Sequence, residues 1–272
     1  MHIQQQNIGN TGIKVSVIGL GTTKYGRNEK VKYPHPFAIP NDAQLVELLE
    51  TAQALGINLI DTAPAYGNSE ERIGELFKKK KMRKEWVIST KVGEEFVNGE
   101  SIYDFTPEAA RLSIERSLRR LYTDYLDIVL VHSDGNDIYN IEHFGIFQYL
   151  AELKQQGLIR AFGMSTKTAA GGIRTIQEAD IAMVGFNALY TAERPAIQEA
   201  YKLNKGILVK KALDSGYIQK FEGAEPIKTA LSFILQEPGV SSIILGTINP
   251  EHLRQNVAAI TTIPSSADLF SS

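Results

Sequence analysis

Gly56-Ile57-Asn58-Leu59-Ile60-Asp61-Thr62-Ala63-Pro64-Ala65-Tyr66-Gly67-Asn68-Ser69-Glu70-Glu71 holds a strand, a polar loop and a helix start within sixteen residues. Gly56 stands where a left-handed cap would end the preceding helical pattern. Asn58 to Ile60 is a short apolar strand run, and Asn68-Ser69-Glu70-Glu71 carries the polar and acidic residues that open a helix. The unit repeats along the chain. Strand runs are expected at Val15 to Leu20, Asn58 to Ile60, Trp86 to Thr90, Leu126 to Val131, Ile159 to Gly163, Ile181 to Phe186, Ile207 to Lys211 and Ser242 to Leu245. Helix starts lie between several of them: Asn41-Asp42 before an Ala43, Leu45, Val46, Leu48, Leu49 stripe, Thr106-Pro107-Glu108, and Asn249-Pro250-Glu251. Gly157 and Gly206, like Gly56, are expected to cap helices ahead of the next strand.

Strands that alternate with helices give an α/β fold with a parallel sheet. Eight units in 272 residues allow about 34 residues each, against the ~30 that a βαβ crossover needs. A closed (β/α)8 TIM barrel therefore uses the chain without remainder, and the expected organisation is one barrel domain over residues 1–272. Lys24 to Pro40, with three prolines and no periodicity, is expected to be a long loop.

The composition is that of an ordinary globular protein: 43% hydrophobic, 22% charged, net charge -2. The absence of cysteine removes disulfides, thiolate metal sites and a cysteine nucleophile, and no metal site is expected. Near-neutral charge argues against nucleic acid as a partner. No apolar run approaches the ~20 residues that span a bilayer, and Met1 to Gln6 lacks a signal-peptide core, so no membrane association and a cytoplasmic location are expected. The basic run Lys78-Lys79-Lys80-Lys81-Met82-Arg83-Lys84 fits the solvated C-terminal end of a helix.

In a barrel of this kind the residues just past each strand gather at one mouth. Those places hold Asp61, Lys91, His132, Ser165 and Asn187. Asp61 and Lys91 on neighbouring strands can form a partly buried ion pair, and Tyr66 stands in the loop after Asp61. An ammonium beside a phenol favours phenolate, so a depressed tyrosine pKa is expected, a two-unit shift being worth about 2.7 kcal/mol. His132 could orient a substrate carbonyl. Singly, each has an ordinary role: a strand-end histidine bonds structurally, Asp-Thr forms a turn, a tyrosine packs. Four together at successive strand ends describe a catalytic site.

The chain resembles the aldo-keto reductases in Gly19-Leu20-Gly21-Thr22, Asp61 to Glu70, Ser89-Thr90-Lys91, Val131-His132, Gly163-Met164-Ser165 and Gly246-Thr247-Ile248-Asn249-Pro250-Glu251 with Asn256. The resemblance implies an oxidoreductase that reduces an aldehyde or ketone with hydride from NAD(P)H. Its tetrad would be Asp61, Tyr66, Lys91 and His132, with Tyr66 as proton donor. It places Gly21, Thr22, Ser165, Thr166, Met183, Lys210, Leu213, Gly246, Thr247, His252 and Asn256 around the cofactor, NADP(H) being favoured over NAD(H).

This chain departs from the family pattern on the cofactor side. Thr166 replaces an asparagine that helps hold the carboxamide, Met183 a glutamine, and Lys210 a tyrosine that stacks on the nicotinamide. Gly246 and His252 occupy positions where many members carry the cations for a 2'-phosphate, although Arg254 is near. The chain ends soon after its last helix, which suggests an open pocket. Between Thr23 and Asp42, Lys24, Arg27, Lys30, Lys32 and His35 face Glu29 alone. Lys24, Tyr25 and Arg27 are therefore expected to touch substrate and to favour anionic carbonyl compounds. The expected partner is a small-molecule carbonyl substrate, with the chain a monomer or weak homo-oligomer. Two alternatives stand beside this: a cofactor-binding regulatory or interaction subunit with vestigial activity, and an aldolase using Lys91 as a Schiff-base amine.

Overall fold

In the computed structural model, which describes residues 2–217 and 225–261, all eight strands form. They are β1 (Ile18–Gly21), β2 (Leu59–Asp61), β3 (Val87–Val92), β4 (Leu126–His132), β5 (Ile159–Ser165), β6 (Ile181–Gly185), β7 (Gly206–Lys210) and β8 (Ser242–Leu245). Each pairs in parallel with the next, and β8 returns to β1 through Ile243↔Ile18 and Leu245↔Leu20, closing the barrel. Helices follow every strand, among them Asp42–Ala54, Ser69–Lys80, Pro107–Arg120 and Pro250–Thr261. None in the described residues is long and apolar enough to cross a membrane.

Side chains alternate in and out along a strand, and this sorts the apolar residues into two cores. Leu59, Val87, Ile128, Leu130, Ala161, Ile181, Met183 and Leu208 fill the barrel interior. Their neighbours of opposite parity, including Ile60, Ile88, Val129, Val131 and Phe162, pack outward with the helices. Continuing the inward parity to the strand ends reaches Asp61, Lys91, His132, Ser165 and Lys210. The same alternation that buries the core thus aims polar groups at the mouth.

Val15 to Leu20 is not one strand. Lys14–Ser16 pairs antiparallel with Gln5–Asn7, and β1 starts only at Ile18. This hairpin inserts Ile8, Ile13 and Val15 into the interior core. Each apolar side chain so buried contributes about 2 kcal/mol, and the barrel floor is closed by them. Asn204, with φ 51, takes the left-handed cap expected of Gly206, which is instead the first residue of β7. Thr106 caps its helix as expected, Pro107 following in the first turn. The basic run ends a helix at Lys80, but Arg83 turns inward to Asp127 at 2.9 Å.

Two excursions wall the mouth. After β1 the chain makes one helical turn, Thr23–Gly26, then runs irregularly to Asn41. After β3, Gly93 (φ +96) turns the backbone into an antiparallel hairpin, Glu94–Val97 with Glu100–Tyr103.

Candidate active site

The mouth encloses a cavity of about 860 Å3 lined by Asp61, Tyr66, His132, Ser165, Met183 and Lys210, with Gly21, Leu213, Gly246, Thr247, His252 and Asn256 further round. At its base, Lys91 Nζ donates to both Asp61 carboxylate oxygens at 2.7 Å and to the Thr62 carbonyl at 2.8 Å. Ser89 Oγ donates to Asp61 as well, at 2.9 Å. Lys91 and Asp61 are 1% and 3% exposed, so this pair works in a weakly screened interior. Burial opposes the ammonium most strongly as a single effect, but the Asp61 carboxylate and Tyr66 together outweigh it and Lys91 is held above its ordinary pKa.

The Tyr66 ring lies 4.9 Å from Lys91 Nζ and meets the His132 ring edge-on with centroids 6.1 Å apart. Its pKa is raised, not depressed as the sequence suggested. Burial disfavours phenolate most strongly; Lys91 works the other way, and the Asp61 charge takes back part of that relief. The phenol therefore keeps its proton at neutral pH.

His132 Nδ1 is 2.7 Å from Glu94 Oε2, a contact that lies out of line with the ring N–H. Burial lowers the His132 pKa and Glu94 counters it only in part. Burial pushes Glu94 up, but His132, a 2.6 Å hydrogen bond from Ser101 and Arg27 bring its pKa down to about 2. Glu94 has no place in the sequence reading above. Its signal was Asn98-Gly99, a two-residue turn flanked by strand formers; both residues have positive φ, at 51° and 80°.

Three expected contacts fall outside the cavity lining, two of them through strand parity. Thr22 and Thr166 point outward: Thr22 Oγ1 bonds the Asp61 carbonyl at 3.0 Å, and Thr166 Oγ1 donates to Glu193 at 2.9 Å. Tyr25 is 1% exposed and packs in the outer core. Lys210 does face the mouth, donating to Ser165 Oγ at 2.9 Å and the Thr166 carbonyl at 2.6 Å. Burial brings its pKa down to about 8 despite Glu193 nearby. Arg27 lines the mouth too, but its guanidinium donates to the carbonyls of Glu29, Ala65 and Lys30 and lies 3.4 Å above the Phe96 ring.

The sequence matches the aldo/keto reductase family over residues 17–228. A crystal structure from Pseudomonas aeruginosa assigned as an aldo-keto reductase is 48% identical, with a TM-score of 0.86 and 95% of each chain covered. The holo form of an aldo-keto reductase from Bacillus halodurans shares the fold at 20% identity, with a TM-score of 0.80 over 98% of this chain and 93% of that one. The NADH-specific methylglyoxal reductase of Escherichia coli is 28% identical over 96% of this chain and 94% of its own length.

Proposed function

Since the chain belongs to the aldo/keto reductase family, a group of nicotinamide-dependent oxidoreductases that reduce carbonyl compounds, we propose that Tyr66 supplies the proton of that reduction. The observation that carries this reading is the buried Lys91–Asp61 pair beside a phenol that keeps its proton. Negative charge grows on the carbonyl oxygen as the carbonyl is reduced, and Tyr66 is the acid that meets it. Lys91 steadies the phenolate left behind, Asp61 keeps Lys91 charged, and His132 orients the carbonyl oxygen.

When bound, the reduced nicotinamide supplies the hydride. The residues present fit it. Gly21 and Gly246 leave the wall without side chains, a Cβ on Gly246 standing only 3.2 Å from Tyr33 Oη. Ser165, whose oxygen already accepts from Lys210, has its own hydrogen left to donate. Asn256 and His252 line the far end, and beside that lining the half-exposed Arg254, which donates to Thr51 Oγ1 at 3.3 Å and lies 3.9 Å from Glu251, has donors left to meet a 2'-phosphate. That cation is the ground for favouring NADPH over NADH. Comparing the two dissociation constants in wild type and Arg254→Leu tests it; equal constants in wild type would end the preference.

The aldolase reading needs a free, accessible amine, whereas Lys91 is almost fully buried and held protonated. A regulatory subunit would not need the ion pair beside the phenol. Tyr66→Phe should slow single-turnover hydride transfer about a hundred- to ten-thousand-fold with cofactor affinity intact. Undiminished transfer would overturn the assignment.

A further inference from the structure

Around the mouth, lysine and arginine outnumber aspartate and glutamate seven to two. Both carboxylates are already engaged, Asp61 by Lys91 and Glu94 by His132 and Ser101. Several of the cations are engaged as well: Lys30 pairs with Glu100, Arg27 clamps backbone carbonyls, and Lys210 bonds Ser165 and Thr166. Lys24 differs. Its ammonium lies 4.1 Å from the Tyr33 ring centroid and 5.0 Å from that of Phe37, two rings set edge to face. Burial lowers its pKa, and no carboxylate counters that effect.

A surface lysine keeps its head in water at little cost. Holding one half-buried over two rings forfeits hydration that a cation–π contact of about 0.5–2 kcal/mol only partly returns. An incoming anion would complete the balance. The place also opens on the chemistry: Thr23, Lys24, Tyr33 and Tyr66 line the same cavity.

We propose that the carbonyl substrate is an anion whose carboxylate or phosphate is received by Lys24 while its carbonyl lies at Tyr66. This rests on the carbonyl-reduction reading above. The anionic group is then separated from the reacting carbon by several bonds, and the exposed Lys32, Lys167 and Lys211 add an attractive field at the rim.

The test compares para-carboxybenzaldehyde with its methyl ester in wild type, Lys24→Met and Lys24→Arg. The kcat/KM ratio of acid to ester should be about tenfold or more in wild type, persist in Lys24→Arg and approach one in Lys24→Met. A wild-type ratio near one, or a ratio untouched by Lys24→Met, would overturn the proposal. The dissociation constant of the reduced cofactor, followed by its own fluorescence, separates the other source of an anion. A tenfold weakening there with the ratio intact would assign Lys24 to a cofactor phosphate instead. If neither aldehyde is reduced, the catalytic reading fails first, and the anion site is judged by calorimetry with para-carboxybenzyl alcohol and its methyl ester. Tighter binding of the acid that Lys24→Met abolishes supports the site; equal affinities sink it.

Discussion

Replacing Asp61 by asparagine leaves Lys91 Nζ with neutral acceptors only, the amide oxygen at 61 and the Thr62 carbonyl at 2.8 Å, and no counter-charge, in a place where the lysine is 1% exposed. Removing one partner of a buried pair costs about 3–5 kcal/mol. For a chain of this size 1 kcal/mol moves Tm by roughly 2–4 °C, so a fall of roughly 10 °C is expected. Lys91 can limit that cost by shedding its proton, but Tyr66 then loses its cation. The phenolate charge sits chiefly on the oxygen, and a full charge pair about 4 Å apart in an effective dielectric near 20 is worth about 4 kcal/mol. With only part of that charge developed in the transition state, kcat should fall about ten- to a hundredfold. Scanning calorimetry and steady-state kinetics across pH read both effects. Because Lys91 is held above its ordinary 10.5, the stability gained from the pair is fully present below pH 10.5 and lost as pH rises through the elevated value. The gap between wild type and Asp61→Asn should therefore close only in strongly alkaline solution. Wild-type Tm and kcat in Asp61→Asn would refute the reasoning.

Glu94 gives the opposite pH signature. Its pKa falls from 4.5 to about 2, so its contribution is complete above pH 4.5 and lost as pH drops toward 2. By linkage the difference is worth at most about 3 kcal/mol, reduced by solvent screening and by the loss of the His132 charge as pH rises, and acid unfolding of Glu94→Gln should lack this component; identical acid limbs would contradict it. Gly163→Ala should destabilise by about 1–3 kcal/mol or more, since a Cβ there would stand 1.6 Å from the Ile181 carbonyl oxygen. Chemical denaturation measures this, and an unchanged midpoint would show that β5 and β6 can separate to admit a methyl.

The barrel was legible because local signals agree over the whole chain: apolar runs, capping residues and turn glycines recur at one spacing. Asp61, Lys91 and His132 were legible as polar groups where apolar strands stop, and their inward parity with Leu59, Val87 and Ile128 was available in the sequence. The same parity excludes Thr22 and Thr166 from the cavity, so motif position was followed there where alternation decides. The floor hairpin was hidden because Lys14 to Leu20 continues as one β-forming run, and only the need to cover an apolar barrel end breaks it at Val17. The direction of the Tyr66 shift depends on three competing effects whose balance is set by burial, which no residue order reveals. Lys24 and Arg27 looked equivalent; the structure sets both on aromatic faces but ties only Arg27 to backbone carbonyls.

The account turns on Lys91 acting on the Tyr66 phenol. The most direct measurement is the Tyr66 titration by NMR, with tyrosine ζ-carbon labelled, in wild type and Lys91→Met, the resonance assigned from Tyr66→Phe. Wild-type Tyr66 should titrate above its ordinary 10.0, and higher still once the ammonium is gone. A wild-type value below 10.0, or one that Lys91→Met leaves in place, would contradict it.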